Sequence, residues 1–585
     1  MISIYDFLPT FISMTKMEYQ YYLHQDCIAE ISHFINEDDM LISYSCCLKA
    51  TCKSFIHRNS YIYEINHSAQ YLMMFTNVKI LDIRNAVSFF QLNHFKNIEK
   101  LILSPSISNI TVSSPTKLMY LDSNTSIQIC NIEKYINLKY LILTYSKGLE
   151  SLIYLQSLSC WFNKNNSDII NLNLLSYLTK LYLISTHHTM QCMEISPNVN
   201  LIELRTENIN FINKLIDGDK LTYLYLDNIC NISFSNLKLI RYLHFESTRK
   251  VNILNQTDSY YHLSRLCLNT KKNMSLNFSN MTNLKHISIS NCRICPNMNL
   301  SLLTSLESMI FVHNVINNVD IINLTRLTFL HFLNSPYKTA HEAYNAHRNS
   351  CHINYNIYLP KTIVSFYFEQ HGIHNSDVKS SGDPWMCKIL NQINDMTNLQ
   401  ILRMDKIALA SQGIESKIFN NASITKLILN KCELIEFSHL TNLQHFVFDE
   451  TNLNDRQNDN VDTKYLSSLK KLTLKKFSYI SATRLKQLKS LEVLKLNFSK
   501  YQVESHIVSS LTHLIIYIRT FDETDMKLRK LIRLKSLTLN NIDLFYELCK
   551  QKFPRSLKDI YLRIDKTNHG HIPKLLMKDI NVHFV

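Results

Sequence analysis

Apolar residues recur along most of the chain in the frame apolar-x-x-apolar-x-apolar, as in LKYLIL from Leu138, LTYLYL from Leu221 and LKKLTL from Leu469. There are 23 such starts between residues 78 and 577, about 22.7 residues apart on average, and the copies at 118, 155 and 577 fit least well. The alternation in the last four positions predicts a short strand that buries its leucines on one side and displays its x residues on the other. A unit of this length buries only a handful of large side chains, which does not offset the backbone entropy of ordering it, so the units must stack to fold.

A period of 20–29 residues with this signature resembles the leucine-rich repeat over residues 78–585. The resemblance implies an α/β leucine-rich repeat solenoid, a horseshoe with parallel strands lining its concave side. At ~4.8 Å per strand, the strand-lined face extends roughly 100 Å along the arc. Two steps, from 327 to 363 and from 363 to 399, are 36 residues long and predict longer loops at 334–362 and 369–398. Insertions of this kind emerge at the edges of solenoids and contribute to partner contact.

The first 77 residues do not follow the frame, and divide into an extension (1–20), a helical module (21–60) and a connector or N-terminal cap (61–77). In the module, Asp26 is placed to cap a helix with Ile28, Ile31 and Ile35 on one face, and Asn36–Asp39 break it before a second helix. A third short helix is expected through Cys52 and Phe55. The segment Asp-Cys-Ile-x-Glu-Ile-x-x-Phe-Ile, followed by Asp-Asp-Met-Leu and Ala-Thr-Cys-Lys-Ser-Phe, resembles an F-box, with Leu23-His24 in place of the usual Leu-Pro. Together the two segments are similar to the F-box/leucine-rich repeat family. That resemblance implies a substrate-recognition subunit of a Skp-cullin-F-box ubiquitin ligase, not itself catalytic. The Skp-type adaptor would contact Leu23, Ile28, Ile31, Phe34, Ile35, Met40, Leu41 and Phe55, and the repeats would bind a protein substrate. The alternative is a non-catalytic interaction scaffold whose N-terminal helices only shield the first repeat. The Asn, Ile, Lys and Tyr bias fits an AT-rich genome, such as a protist's or that of a large DNA virus.

Composition narrows the chemistry. With 6 Gly and 10 Pro in 585 residues there is no Gly-x-Gly-x-x-Gly and no Walker-type motif, and no catalytic signature of hydrolases or kinases. No cofactor is expected. The 15 cysteines form no framework, Asp6 stands where a signal peptide is basic, and no apolar run is long enough to span a bilayer, so an intracellular, cytoplasmic or nuclear protein is expected, in the host cell cytoplasm if viral. His341, His347, Cys351, His352, His371, His374 and Cys387 crowd the inserts without zinc-finger spacing, and no metal is expected there. The one Cys-x-x-Cys, Cys292 and Cys295 in LKHISISNCRIC, follows from the repeat: Cys292, like Cys432 in ITKLILNKCELI, falls at the small buried position after the strand.

At the x positions, Tyr223, Tyr225, Tyr242, His244, Phe329, His331 and Tyr367 make an aromatic surface, the type of residue that dominates interface hot spots. The chain carries a net charge of +14, and most of it lies in residues 451–585, with 25 Lys+Arg against 13 Asp+Glu. Lys471, Thr473 and Lys475 face outward there, and Lys495 and Arg563 extend the basic surface. Such a stripe is a solvated face, a site for an acidic protein or, less in keeping with the pattern, for nucleic acid. Tyr223, Tyr225, Tyr242, His244, Phe329, His331, Tyr367, Lys471 and Lys475 are the expected substrate-binding residues.

Overall fold

The computed structural model describes, between residues 61 and 584, the strands, the turns leading into them, two helices and parts of the return segments. Residues 1–60 lie outside the described residues, as do 335–356, 371–383, 406–420 and 450–465. The F-box-like module, its eight expected adaptor contacts and the histidine-rich stretches of the inserts therefore lie outside them, and Cys292 and Cys295 do so as well.

The chain divides into two compact units, Met1–Leu263 and Ser264–Val585. In the first, nine consecutive parallel pairings join ten strands, from Tyr61–Ile62 to Tyr242–Glu246. In the second, thirteen join fourteen strands, from Arg265–Asn269 to Asn581–Phe584. Register follows the leucine frame: Leu181 pairs with Leu204, Leu204 with Leu224, and Leu224 with Leu243. These residues are fully buried, and the x residues between them point to the open face.

Two backbone devices repeat at the start of most described strands. The N–H of the frame's first leucine bonds the carbonyl three residues earlier, as from Leu178 to Leu175 (3.1 Å) and from Leu443 to Leu440 (3.0 Å). That earlier residue is itself a buried leucine in many repeats, including Leu152, Leu175, Leu237, Leu440 and Leu488. A single carbonyl of one repeat then accepts two N–H groups of the next: Ile202 O takes those of Thr222 (2.9 Å) and Tyr223 (3.2 Å). Few orphan donors are left at the strand entries.

The return segments differ from the α/β expectation. Among the described residues Pro384–Asp395 and Ile542–Cys549 form α-helices. Elsewhere the return segments hold 3₁₀ turns such as Leu149–Ser151, or pair into short parallel ladders such as Ile170–Asn171, Cys192–Glu194 and Asn210–Phe211. The regular structure of the described residues is thus mostly β. Return segments such as SISNITVSS and CNISFS are rich in β-branched residues, Ser and Asn, all weak helix formers. The first helix occupies the second long step, which has the length to hold it, so that step is not simply a loop: Ile389, Leu390 and Ile393 join the core. Gln392 Oε1 of this helix accepts the Leu359 N–H at 2.7 Å, and Pro384 opens it, where a missing N–H costs nothing.

The last repeat sits two residues later than its expected start at Met577. Ile560 pairs with Val582 and Leu562 with Phe584, so Val582 and Phe584 take the frame positions that the sequence pattern assigned to Ile580 and Val582. A two-residue slip leaves the alternation intact, which is why the pattern does not reveal it.

Candidate binding surfaces

In the first unit, four strands, Lys180–Ser185, Glu203–Glu207, Tyr223–Asp227 and Tyr242–Glu246, carry the most densely connected open face. Their central x column is Tyr182, Arg205, Tyr225 and His244, placed side by side by the register. The Arg205 guanidinium lies over the Tyr225 ring, 4.7 Å from its centroid, and the other side of that ring stacks on His244 at 4.3 Å. In the neighbouring column Tyr223 and Tyr242 stack almost parallel, 4.4 Å apart and 3° from coplanar. Cross-strand spacing alone brings about this stacking, because planar side chains on adjacent strands meet at ring-contact distance.

Carboxylates hold the polar ends of Tyr182, Arg205 and Tyr225. Glu207 Oε1 accepts from Arg205 Nε at 3.0 Å, Glu203 accepts from Lys180 Nζ at 2.6 Å and from the Tyr182 hydroxyl, and Glu246 Oε2 accepts from the Tyr225 hydroxyl at 3.2 Å. Burial alone would raise the Glu203 carboxyl, but the Lys180 and Tyr182 hydrogen bonds outweigh it and hold it below the usual range. Burial pushes the Tyr225 and Tyr182 hydroxyls up, and neighbouring carboxylates add to both shifts. Burial pulls His244 down against its Glu246 partner, leaving it neutral near pH 7. The tyrosines therefore stay protonated donors. Such a surface is rigid before any partner arrives, which lowers the entropy cost of binding.

Sequence reasoning named Tyr223, Tyr225, Tyr242 and His244, and these four come together. It missed Tyr182, Glu203, Arg205, Glu207 and Glu246. Their signal is positional, since Tyr182 and Arg205 share the column of Tyr225 and His244, but it emerges only when the repeats are aligned.

In the second unit, Phe329, His331 and Tyr367 also meet: the Tyr367 ring stands edge-on to Phe329 at 5.1 Å and to His331 at 5.8 Å. Burial lowers the His331 pKa. The column continues into Arg403, whose Nε and Nη2 bond Asp405 Oδ2 at 3.0 and 2.7 Å, while Asn430 Nδ2 holds Asp405 Oδ1 at 2.6 Å. Farther along, Lys475 pairs with Asp449 at 3.2 Å, whereas Lys471 stands beside His445 on the open face. Thr473 lies between Val447 and Lys495, and Lys495 and Arg563 both approach the Tyr517 ring, at 5.1 and 5.6 Å.

Cys160, Cys267, Cys432 and Cys549 are free thiols. Buried Cys432 lies at the end of its strand, as its place in the frame implied, and its Sγ donates to Met404 O at 3.2 Å. Among the described residues there is no group of three or more His, Cys, Asp or Glu arranged to hold a metal, and no helix long and apolar enough to cross a membrane.

No protein-family model matches the sequence, and no curated protein matches it. Among solved structures the chain is similar to a leucine-rich repeat protein of Leptospira interrogans, at 17% identity and TM-score 0.34 over 78% of this chain and 93% of that one. It is also similar to CroV588, a novel circular leucine-rich repeat protein, at 14% identity and TM-score 0.35 over 91% and 96%. A third is the TLR13–ssRNA13 complex, at 15% identity and TM-score 0.41 over 89% and 83%. Likenesses this distant carry nothing about binding. It is the chain's own strand register, leucine under leucine through successive parallel pairings in each unit, that makes the described fold a leucine-rich repeat solenoid.

Proposed function

We propose that this chain is a non-catalytic recognition protein that captures a protein partner on the open face of its first unit. The observation that carries this reading is the preorganised set of Tyr223, Tyr225, Tyr242, His244 and Arg205, in which Tyr223 stacks on Tyr242, Tyr225 lies between Arg205 and His244, and carboxylates hold the polar ends of Arg205, Tyr225 and His244. Rigid tyrosine and arginine side chains lose little entropy when a partner arrives, so they make strong anchors. The Phe329, His331 and Tyr367 cluster offers the second unit a smaller surface of the same kind.

The finer reading joins this to the F-box-like segment: residues 21–60 dock a Skp-type adaptor, and the repeats hold a substrate near a ubiquitin-loaded partner enzyme. The contribution of the chain is then effective concentration, which needs no catalytic residue of its own. Two experiments test the two levels separately. Pull-down with a Skp-type adaptor should succeed with the full chain and fail after Ile31→Asp with Phe34→Asp; no binding by the unaltered chain rejects the ligase role and leaves the scaffold. Affinity purification of the full chain should identify a partner that Tyr223→Ala with Tyr225→Ala releases by at least tenfold. A partner retained by that double variant rejects the first-unit surface.

A further inference from the structure

Several cations on the open face are tied to a carboxylate. Lys180 meets Glu203, Arg205 meets Glu207, Arg403 meets Asp405, and Lys475 meets Asp449. One stretch of the second unit departs from this. Lys426, His445 and Lys471 are direct neighbours on three successive strands, with Lys470 beside them. The electrostatic influences on His445 there are all lysines, namely Lys471, Lys426 and Lys470. Lys426, Lys470 and Lys471 have no side-chain hydrogen bond or ion pair among the described residues. Like charges facing each other across strands destabilise a sheet; the acidic neighbour here is Glu492, whose N–H bonds Lys470 O at 2.8 Å on the next strand and whose carboxylate forms no ion pair with these lysines.

The neighbouring column has a different character. Ile428, Val447, Thr473, Lys495 and Ile515 follow one another across five strands, apolar but for Thr473 and Lys495. Beyond it, Tyr517 already has two cations over it, Lys495 and Arg563. That ring is therefore no open platform for a nucleobase, whereas single-strand recognition relies on such platforms.

We infer that the open face of Lys426–Asn430, His445–Asp449, Lys471–Phe477, Val493–Phe498 and His513–Ile518 binds an acidic protein segment that interleaves carboxylate groups with aliphatic side chains. The acidic groups neutralise Lys426, Lys470, Lys471 and Lys495. The aliphatic ones lie on Ile428, Val447 and Ile515. This surface is separate from the aromatic face of the first unit, and the inference does not depend on an adaptor.

The test uses the full chain and fluorescence anisotropy at 50 and 150 mM salt with three labelled probes. They are a twelve-residue peptide of glutamates with isoleucine at every third position, a twelve-residue polyglutamate, and an oligothymidylate of equal charge. The isoleucine-bearing peptide should bind at least fivefold more tightly than either other probe, and Lys426→Gln with Lys471→Gln should weaken it at least tenfold. Lys285→Gln, at a lysine already paired with Glu307, should leave it unchanged. Circular dichroism verifies folding, and glutamine at these exposed or half-exposed positions removes charge without adding bulk. Preference for the oligonucleotide, equal affinity for the two peptides, or a loss below threefold in the double variant overturns the inference.

Discussion

Thr206 offers a sharp test of the repeat register. It occupies the last buried frame position of the Glu203–Glu207 strand, between Leu183 and Leu226 on the flanking strands. Its side chain is fully buried, and its hydroxyl has no hydrogen-bond partner. A buried hydroxyl without a partner costs about 1–3 kcal/mol of desolvation, and valine has nearly the same shape. Thr206→Val should therefore stabilise the local structure by about 1–3 kcal/mol, since it removes the polar atom without opening a cavity. Repeat arrays unfold in parts, so a single melting temperature is a poor readout. Hydrogen–deuterium exchange of peptides covering 201–211 is better: at about 1.4 kcal/mol per factor of ten, protection should rise roughly five- to a hundredfold. Thr206→Ser keeps the hydroxyl and loses the methyl, so protection there should fall. Unchanged or faster exchange in Thr206→Val would show that the hydroxyl has found a partner, or that the position is not buried, and the register argument at this strand would fail.

Asn421 is buried where many repeats have a leucine, and its Nδ2 donates to Ile393 O and Met396 O at 2.7 Å each, holding the end of the Pro384–Asp395 helix; Asn421→Ala should cost about 2–3 kcal/mol, read as faster exchange over 384–400. Asn208 has φ of 57°, with its N–H bonded to Asp227 O at 3.0 Å. Asn208→Gly keeps the φ but loses the Nδ2 bond to Ser185 O at 3.0 Å and should cost about 1 kcal/mol or less, while Asn208→Val should destabilise by about 1–2 kcal/mol, both read as exchange over 201–211. His244, His286, His331 and His445 are each held below 6.5, in every case first by burial, so folding favours their neutral forms. Their contribution is complete above pH 6.5 and is lost as pH falls through the lowered values; urea midpoints should drop from pH 7 toward pH 5, with a shallower slope in His244→Gln.

The repeat was legible because its signal is redundant: a frame that recurs through the chain needs no single copy to be good. Even the poor copy at 118 takes its place in the sheet, with Leu118 and Leu121 buried and a buried serine, Ser123, in the last frame position. The return segments were not legible by family resemblance, because weak helix propensity there is a property of this chain's own Ser, Asn and Ile content. Nor was the leucine three residues ahead of the frame, although Leu175 and Leu440 are plain in the sequence, since its role is to close a turn and only the Leu178 and Leu443 N–H bonds reveal it. On the open face, aromatic residues stood out individually while Glu203, Arg205 and Glu246 did not. A charged residue at an x position is the default, and becomes informative only when register shows what it touches.

That distinction bears on how such a surface acquires specificity. Along each strand the leucines answer to the core and the x residues answer to nothing but their neighbours on the adjacent strands, so the face can vary while the fold is kept. The first unit uses this freedom to tie its charges internally, Arg205 to Glu207 and Lys180 to Glu203, which leaves recognition to the tyrosine edges and hydroxyls. The stretch from Lys426 to Lys471 leaves its charges untied among the described residues. Binding at the first face should accordingly be insensitive to salt and governed by dissociation rate, because rigid anchors act after contact. Binding at the second should weaken steeply with salt and be governed by association rate, because unpaired charge acts at a distance. Stopped-flow kinetics of the two surfaces at 50 and 300 mM salt separate these behaviours, and equal salt dependence at both would mean that the internal pairing of Arg205 and Lys180 does not silence their charge.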